Sequence, residues 1–259
     1  MAIDEAVLIR ADSGRSVPTL RFYGWSPPAV SLGYFQNIST EVNLTNCRSL
    51  GVDIVRRPTG GKAVLHENEI TYSVVSPKHN PLFPDNILGT YKIISSCLAQ
   101  ALLSMGINAS ISERDHENSA NVLKSLCFSE PSRFELLVAG RKICGSAQVR
   151  TKNAFLQHGS LLLNFEPQRA VQVLCPHPEP GLPEKLGRSV TSLSECSDAV
   201  SGVSNPDKVV RTLADSFRQV LDIKITEGTL SSWEQTEKER LIQEKYSTED
   251  WNFKAKYPP

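Results

Sequence analysis

A long apolar stripe at helical spacing, with short strand-like runs on both sides of it, limits the folds open to this chain more than any other feature. Leu88, Tyr91, Ile94, Leu98, Leu102 and Met105 recur at three- and four-residue steps, behind a cap at Asp85 or Asn86 and ahead of Gly106. Such steps stack side chains on one helix face, and a short polar residue in front and a glycine behind satisfy the helix's unpaired end groups. Before this helix, residues 19–23, 29–34, 51–57 and 61–76 read as strands, the last broken by a polar stretch at 66–69 that suggests a hairpin-like excursion. After it, 134–138 and 142–149 form a hairpin about Ala139 and Gly140, and 154–164 add another strand. Residues 3–10 read as a short helix. Past Phe165, Pro and Ser are spread through 176–206, and Asn205-Pro206 caps a helix whose apolar positions include Val210, Leu213, Phe217, Val220 and Leu221. Residues 231–245 form a charged helix, and Trp251-Asn252-Phe253 dock the tail.

At 259 residues and 40% hydrophobic, the chain can bury one main core with a small appendage, placed at 10–226 and 227–259. Lys plus Arg equals Asp plus Glu at 28 each, so no global field draws nucleic acid or an anionic membrane. Asp4 and Glu5 stand where a signal peptide needs a basic leader, and no run approaches the roughly 18 apolar residues of a membrane span. A soluble, cytoplasmic protein is expected, with its six cysteines reduced. No cysteine forms a CxxC pair or sits with His at ligand spacing, so no metal is expected.

The densest motif runs from Arg56 to His66, where Gly60 and Gly61 follow two arginines and lead into an apolar strand. Paired glycines let a backbone approach a ligand and offer it N–H donors. A plain turn between strands accounts for the pair as well. His66 alone fits a hydrogen-bonded structural histidine better than a catalyst. Arg56 and Arg57 alternate faces in an extended chain, so at most one points into a pocket.

Residues 112–125 are polar and weakly periodic and read as a mobile loop leading to Cys127. Arg133, Arg141, Lys142, Arg150 and Lys152 follow in a locally basic segment. A nearby ammonium favours the thiolate, the form that attacks an acyl carbon, and this makes Cys127 a candidate nucleophile. Against that stands the ordinary reading of an isolated cysteine as a small buried hydrophobe. Cys144, inside an apolar strand beside Gly145, and Cys97, on the long helix, read as packing.

The run from Arg56 through Gly60-Gly61 to His66, with Glu69-Ile70-Thr71-Tyr72-Ser73, resembles the signature of the lipoate and biotin protein ligase superfamily. Within it, Arg21-Phe22-Tyr23-Gly24-Trp25, Gly33-Tyr34-Phe35-Gln36-Asn37, Ser125-Leu126-Cys127-Phe128 and Gly140-Arg141-Lys142 are similar to the LipM-type octanoyltransferases. The resemblance extends from residue 1 to the Trp251-Asn252-Phe253 tail. It implies an α/β fold of the α+β type, with a mixed, largely antiparallel central sheet flanked by helices and a small C-terminal helical segment. It also implies that Cys127 forms an acyl-thioester and that Lys142 lowers its pKa. More loosely, it implies an acyl pocket lined by Arg57, Gly60, Gly61, His66 and Gly145. Two departures are visible. The family's pattern has a first strand ahead of the helix that begins here at Met1, which bears on the pairing of the sheet edge, and it favours a small residue such as alanine where Cys144 stands.

The reaction so implied takes octanoate from octanoyl-acyl carrier protein onto Cys127 and passes it to a lysine of a lipoyl domain, such as that of glycine cleavage protein H. Backbone N–H groups near Gly60, Gly61 and Gly145 would face the oxyanion. Neither ATP nor another cofactor is required, and a monomer is expected. Rival readings keep the fold but make it an amidotransferase between lipoyl domains or an ATP-dependent lipoate ligase. A non-catalytic lipoyl-domain binding module is the rival from outside enzymes.

Overall fold

The computed structural model describes residues 1–112, 134–196 and 205–254. Helix α1 (Ala2–Asp12) is followed by strands β1 (Thr19–Tyr23) and β2 (Ala29–Leu32), short helices α2 (Ile38–Glu41) and α3 (Leu44–Ser49), and strands β3 (Asp53–Arg56), β4 (Val64–His66) and β5 (Glu69–Pro77). The long helix α4 (Ile87–Ser104) precedes β6 (Ser110–Ile111), β7 (Leu136–Val138), β8 (Arg141–Arg150) and β9 (Ala154–Leu162). Helices α5 (Pro167–Leu174), α6 (Leu182–Ser189), α7 (Leu193–Cys196), α8 (Pro206–Leu221) and α9 (Ser232–Leu241), a π-helical turn (Ile242–Tyr246) and α10 (Glu249–Asn252) follow.

Six strands form an antiparallel sheet in the order β1-β5-β9-β8-β7-β6, and three form a smaller one in the order β3-β2-β4. In the smaller sheet β2 runs parallel to β3 and antiparallel to β4, so the fold is mixed but largely antiparallel, as expected. Between β4 and β5 the structure corrects the hairpin reading. Instead of pairing with each other, β4 joins the small sheet and β5 the large one, with Asn68 at φ +52° in the crossing. A polar break at 66–69 marks a change of direction, and only the partners available on each side decide where the chain goes next.

Strand alternation gives the central strands two different faces. On β5, Ile70, Tyr72 and Val74 join a core with Ile94, Cys97, Leu98 and Leu102 of α4 and Leu213 and Phe217 of α8. The intervening Thr71 and Ser73 are equally buried but polar, and they belong to the opposite face. On β9, Phe155 and Leu161 enter the same core while His158 and Ser160 take the polar side. One face of the sheet therefore carries the main core, while the opposite face packs Val75, Ala154 and Leu156 against α1 and turns polar at Thr71, Ser73, His158 and Ser160.

Helix α4 is capped by Asn86, whose side chain accepts from the Gly89 N–H. Its 18 residues have a mean hydropathy of 1.3, long and apolar enough to cross a membrane by length and composition, contrary to the expectation that no run approaches this. Here its stripe is buried against the sheet and α8. On α8 the inward face is Val209, Leu213, Ser216 and Phe217, not the expected Val220, which is exposed. Helix α6 falls inside the Pro- and Ser-rich stretch read as irregular, with Leu182 and Leu186 buried. Residues 113–133, which hold most of the expected loop and Cys127, lie outside the described residues.

The tail is fastened to the small sheet through Arg56, whose side chain is completely buried. Arg56 donates to the carbonyls of Gly33, Tyr34 and Gln36 at 2.7–3.0 Å and to those of Trp251 and Asn252 at 3.1 and 3.3 Å. In return, Asn252 Oδ1 accepts from the Arg56 N–H at 3.0 Å, and the Trp251 indole donates to the Arg56 carbonyl at 2.8 Å. Asn252 also donates to the Tyr246 carbonyl at 2.7 Å. Asn252→Ala leaves a buried N–H and a buried carbonyl unsatisfied. It should lower stability by about 1–3 kcal/mol in denaturant unfolding.

Candidate functional site

On the polar face of the large sheet lies a small cavity, partly open to solvent. Arg57, Gly61, His66 and Gly145, four of the residues expected at a site, line it. Ser31, Thr71, His158 and Ser160 complete its polar wall, and Val64 and Ala147 contribute carbon. Ser31 was read as part of a strand with no functional role of its own. His158 and Ser160 had been placed in a strand without a role.

Arg57 organises the glycine turn. Nη1 donates to the Ser31 carbonyl and hydroxyl at 2.8 and 3.0 Å. Nη2 donates to the carbonyls of Gly60 and Lys62 at 2.9 and 2.6 Å, and Nε to Thr59 Oγ1 at 3.1 Å. Gly60 therefore acts at the turn through its carbonyl and does not itself line the cavity. Gly61, at φ +88°, is in a conformation that favours glycine, and a Cβ there would meet Arg57 Nη2 at 2.9 Å. Gly33 matters more for packing, because a Cβ on it would stand 1.8 Å from the Gly61 carbonyl oxygen.

Two histidine–carboxylate pairs flank this arginine. His66 Nε2 lies 2.8 Å from Ser31 Oγ, its Nδ1 lies 3.4 Å from Glu69, and its ring stacks on Trp25 at 4.3 Å. Glu69 in turn accepts from Thr71 and Ser160 at 2.8 and 2.5 Å. On the other side, His158 Nε2 lies 2.8 Å from Thr59 Oγ1, and its Nδ1 lies 3.9 Å from Asp4, beyond hydrogen-bond reach but within Coulombic range. Burial lowers the His158 pKa against the attraction of Asp4, with Arg57 adding to the depression, so the ring is neutral at pH 7. Burial would raise the Asp4 carboxyl, but His158 and the positive charge around it, Arg21 included, outweigh this and hold it below the usual carboxylate range.

Lys142 stands apart from the cavity wall. It is 2% exposed, and its Nζ donates to Glu135 Oε1 at 2.6 Å. Cys144 is buried as expected, and desolvation pushes its thiol up to about 12 despite the neighbouring Lys142. It is therefore a packing residue at neutral pH. Cys97, pushed up to about 12 by burial, is the same. Cys127 lies outside the described residues, so the geometry of the expected Cys127–Lys142 pair is not described. Among the described residues, no group of three or more His, Cys, Asp or Glu side chains could hold a metal ion.

The catalytic-domain model of lipoyl protein ligases A and B matches residues 1–218. This chain belongs to that family. It is 36% identical to the octanoyltransferase LipM of Halalkalibacterium halodurans and 34% identical to that of Bacillus subtilis, over 98% of this chain and 94% and 93% of the relatives. The LipM of Lysinibacillus sphaericus is 39% identical, over 98% of this chain and 94% of the relative. Among solved structures, a bipartite lipoate protein ligase with its E2 lipoyl domain from Thermoplasma acidophilum matches with a TM-score of 0.82 at 25% identity, covering 100% of this chain and 92% of that one. A lipoate-protein ligase A bound with ATP matches with a TM-score of 0.79 at 27% identity, covering 97% and 92%. The expected fold and enzyme class are borne out.

Two outcomes follow from the site. Because the unfolded chain's imidazole takes up a proton that the folded His158 refuses, stability should fall as pH drops below about 6.5. His158→Gln should flatten part of that slope in denaturant titrations run from pH 7 down to about pH 5, a range that spans the unfolded imidazole's midpoint of about 6.5. Gly33→Ala should displace the glycine turn and lower the melting temperature, with a loss on the order of 1–3 kcal/mol, as for overpacked cores.

Proposed function

We propose that this octanoyltransferase works by two acyl transfers through Cys127. The Cys127 thiolate attacks octanoyl-acyl carrier protein, forming a new thioester and releasing the carrier's thiol. The amine of a lipoyl-domain lysine, as in glycine cleavage protein H, then attacks that thioester, forming an amide and regenerating the Cys127 thiol. Thioester exchange is nearly isoenergetic and thioester to amide runs downhill, so the sequence of steps is balanced without ATP. The work is done in the cytoplasm by a monomer.

The observation that carries this reading is the cavity where the Arg57-bound glycine turn meets Gly145 of β8, in a chain matched almost end to end by octanoyltransferases. The acyl group would sit among Arg57, Gly61, His66 and Gly145, with backbone N–H groups of the glycine turn and of Gly145 facing the oxyanion. Lys142 would act from the neighbouring end of β8, favouring the Cys127 thiolate by its charge. The lipoyl domain carried in the Thermoplasma acidophilum structure supports a protein of that kind as acceptor.

Mixing the protein with octanoyl-acyl carrier protein, without ATP or acceptor, should place one hydroxylamine-labile octanoyl group on Cys127 by intact mass and peptide mapping. Labelling of Cys144 alone, or of no cysteine, would refute it. Cys127→Ala should lower transfer by at least about a thousandfold, the scale for loss of a covalent nucleophile. An ATP-dependent ligase would tolerate that substitution.

A further inference from the structure

The ion pair between Lys142 and Glu135 is a strong interaction beside the site to which the reaction gives no use. Both groups are buried, at 2% and 5% exposure, with 2.6 Å between Nζ and Oε1. Burial penalises a charged ammonium, and a carboxylate at hydrogen-bond distance both restores the charge and fixes its direction.

The position of Glu135 is set from three sides. Phe134, the residue before it, takes φ +65°, uncommon for a bulky side chain. The Phe134 carbonyl accepts from Ser95 Oγ of α4 at 2.6 Å, and its N–H donates to the Ser112 carbonyl at 2.7 Å. The Glu135 carbonyl then accepts from the Ser112 N–H at 2.9 Å, continuing the β6–β7 ladder. A backbone held in an unfavourable region by this many bonds serves to aim a side chain.

Among the described residues, charged and titratable groups around the pair have commitments of their own. Glu69 of β5 accepts from Thr71 and Ser160, and Arg141 at the start of β8 pairs with Glu195 of α7 at 2.6 Å. Cys144, two residues along β8, is held protonated by burial, and Tyr72 of β5 is likewise raised well above the usual phenol range. From α4 the contribution to Glu135's setting is the neutral Ser95 hydroxyl.

We infer that Glu135 is the positioning residue that keeps Lys142 protonated and aimed, so that Lys142 serves octanoyl transfer as a fixed cation and not as the base for the incoming amine. This rests on the assignment of Lys142 to the reaction made above. The amine's proton then leaves with the departing thiolate, which needs one to become a thiol.

The test is the pH dependence of octanoyl transfer in Glu135→Gln, which keeps the shape of the side chain and removes its charge. Without its counter-charge the buried Lys142 ammonium is lost as pH rises, so the deficit in kcat/KM relative to the unsubstituted protein should grow by roughly tenfold per pH unit above the shifted value. Glu135→Asp, which keeps the charge, should show a deficit independent of pH. A deficit in Glu135→Gln that is the same at every pH, or absent, overturns the inference. Should that variant fail to fold, the unsubstituted protein still decides. Its Lys142 side-chain NMR signal, assigned by its loss in Lys142→Arg, should stay at the ammonium position between about pH 6 and 9, and titration within that range overturns it. Lys142→Ala run alongside separates the two levels: full transfer there overturns the assignment of Lys142 itself, whatever Glu135 does.

Discussion

Two successive arginines, Arg56 and Arg57, are buried with hydrogen bonds to backbone carbonyls and hydroxyls in place of water. A guanidinium removed from solvent needs its donors satisfied, and its planar fork meets several acceptors at once. Each therefore gathers chain segments that are distant in sequence. Arg56 collects residues 33–36 and the C-terminal helix, while Arg57 collects Ser31 and the glycine turn. Because the two side chains leave the strand in opposite directions, one holds the scaffold and the other shapes the cavity. Tight packing of Gly33 against Gly61 then locks the two halves of this arrangement together.

The large sheet supplies the rest of the wall by the same alternation. Its central strands are buried on both faces: one carries the core with α4 and α8, and the other is apolar where Val75, Ala154 and Leu156 meet α1 and polar at the cavity. Thr71, His158 and Ser160 could not be buried without partners, and they find them in Glu69, Thr59 and one another's neighbours. The network joins two histidines and two carboxylates around one arginine and holds the polar wall of the cavity in place. A site preorganised in this way loses little order on binding.

Charge at the cavity's edge follows a different rule. Cys144 and Lys142 lie two residues apart on β8, and burial acts on both, but only Lys142 has an opposite charge in contact. Burial alone raises the thiol's pKa, whereas the buried Lys142 ammonium meets a carboxylate at 2.6 Å.

Local pattern was enough for much of this. The helical stripe from Leu88 to Met105, the turn at Ala139-Gly140, the Asn205 cap and the alternation of Arg56 and Arg57 were legible because each depends on neighbours within a few residues. Ordered motifs also identified the family, and with it the glycine turn and His66. What the sequence could not determine is where distant polar residues meet. Nothing near Ser31 or His158 announces a cavity, since their partners lie tens of residues away and are brought in by strand register. Likewise β4 and β5, adjacent in the chain, enter different sheets because pairing depends on the edges available in three dimensions. Lys142 was readable as a cation near a cysteine in sequence. Only the tertiary structure put Glu135 against it, because the β7–β8 pairing brings two buried charges within hydrogen-bond distance.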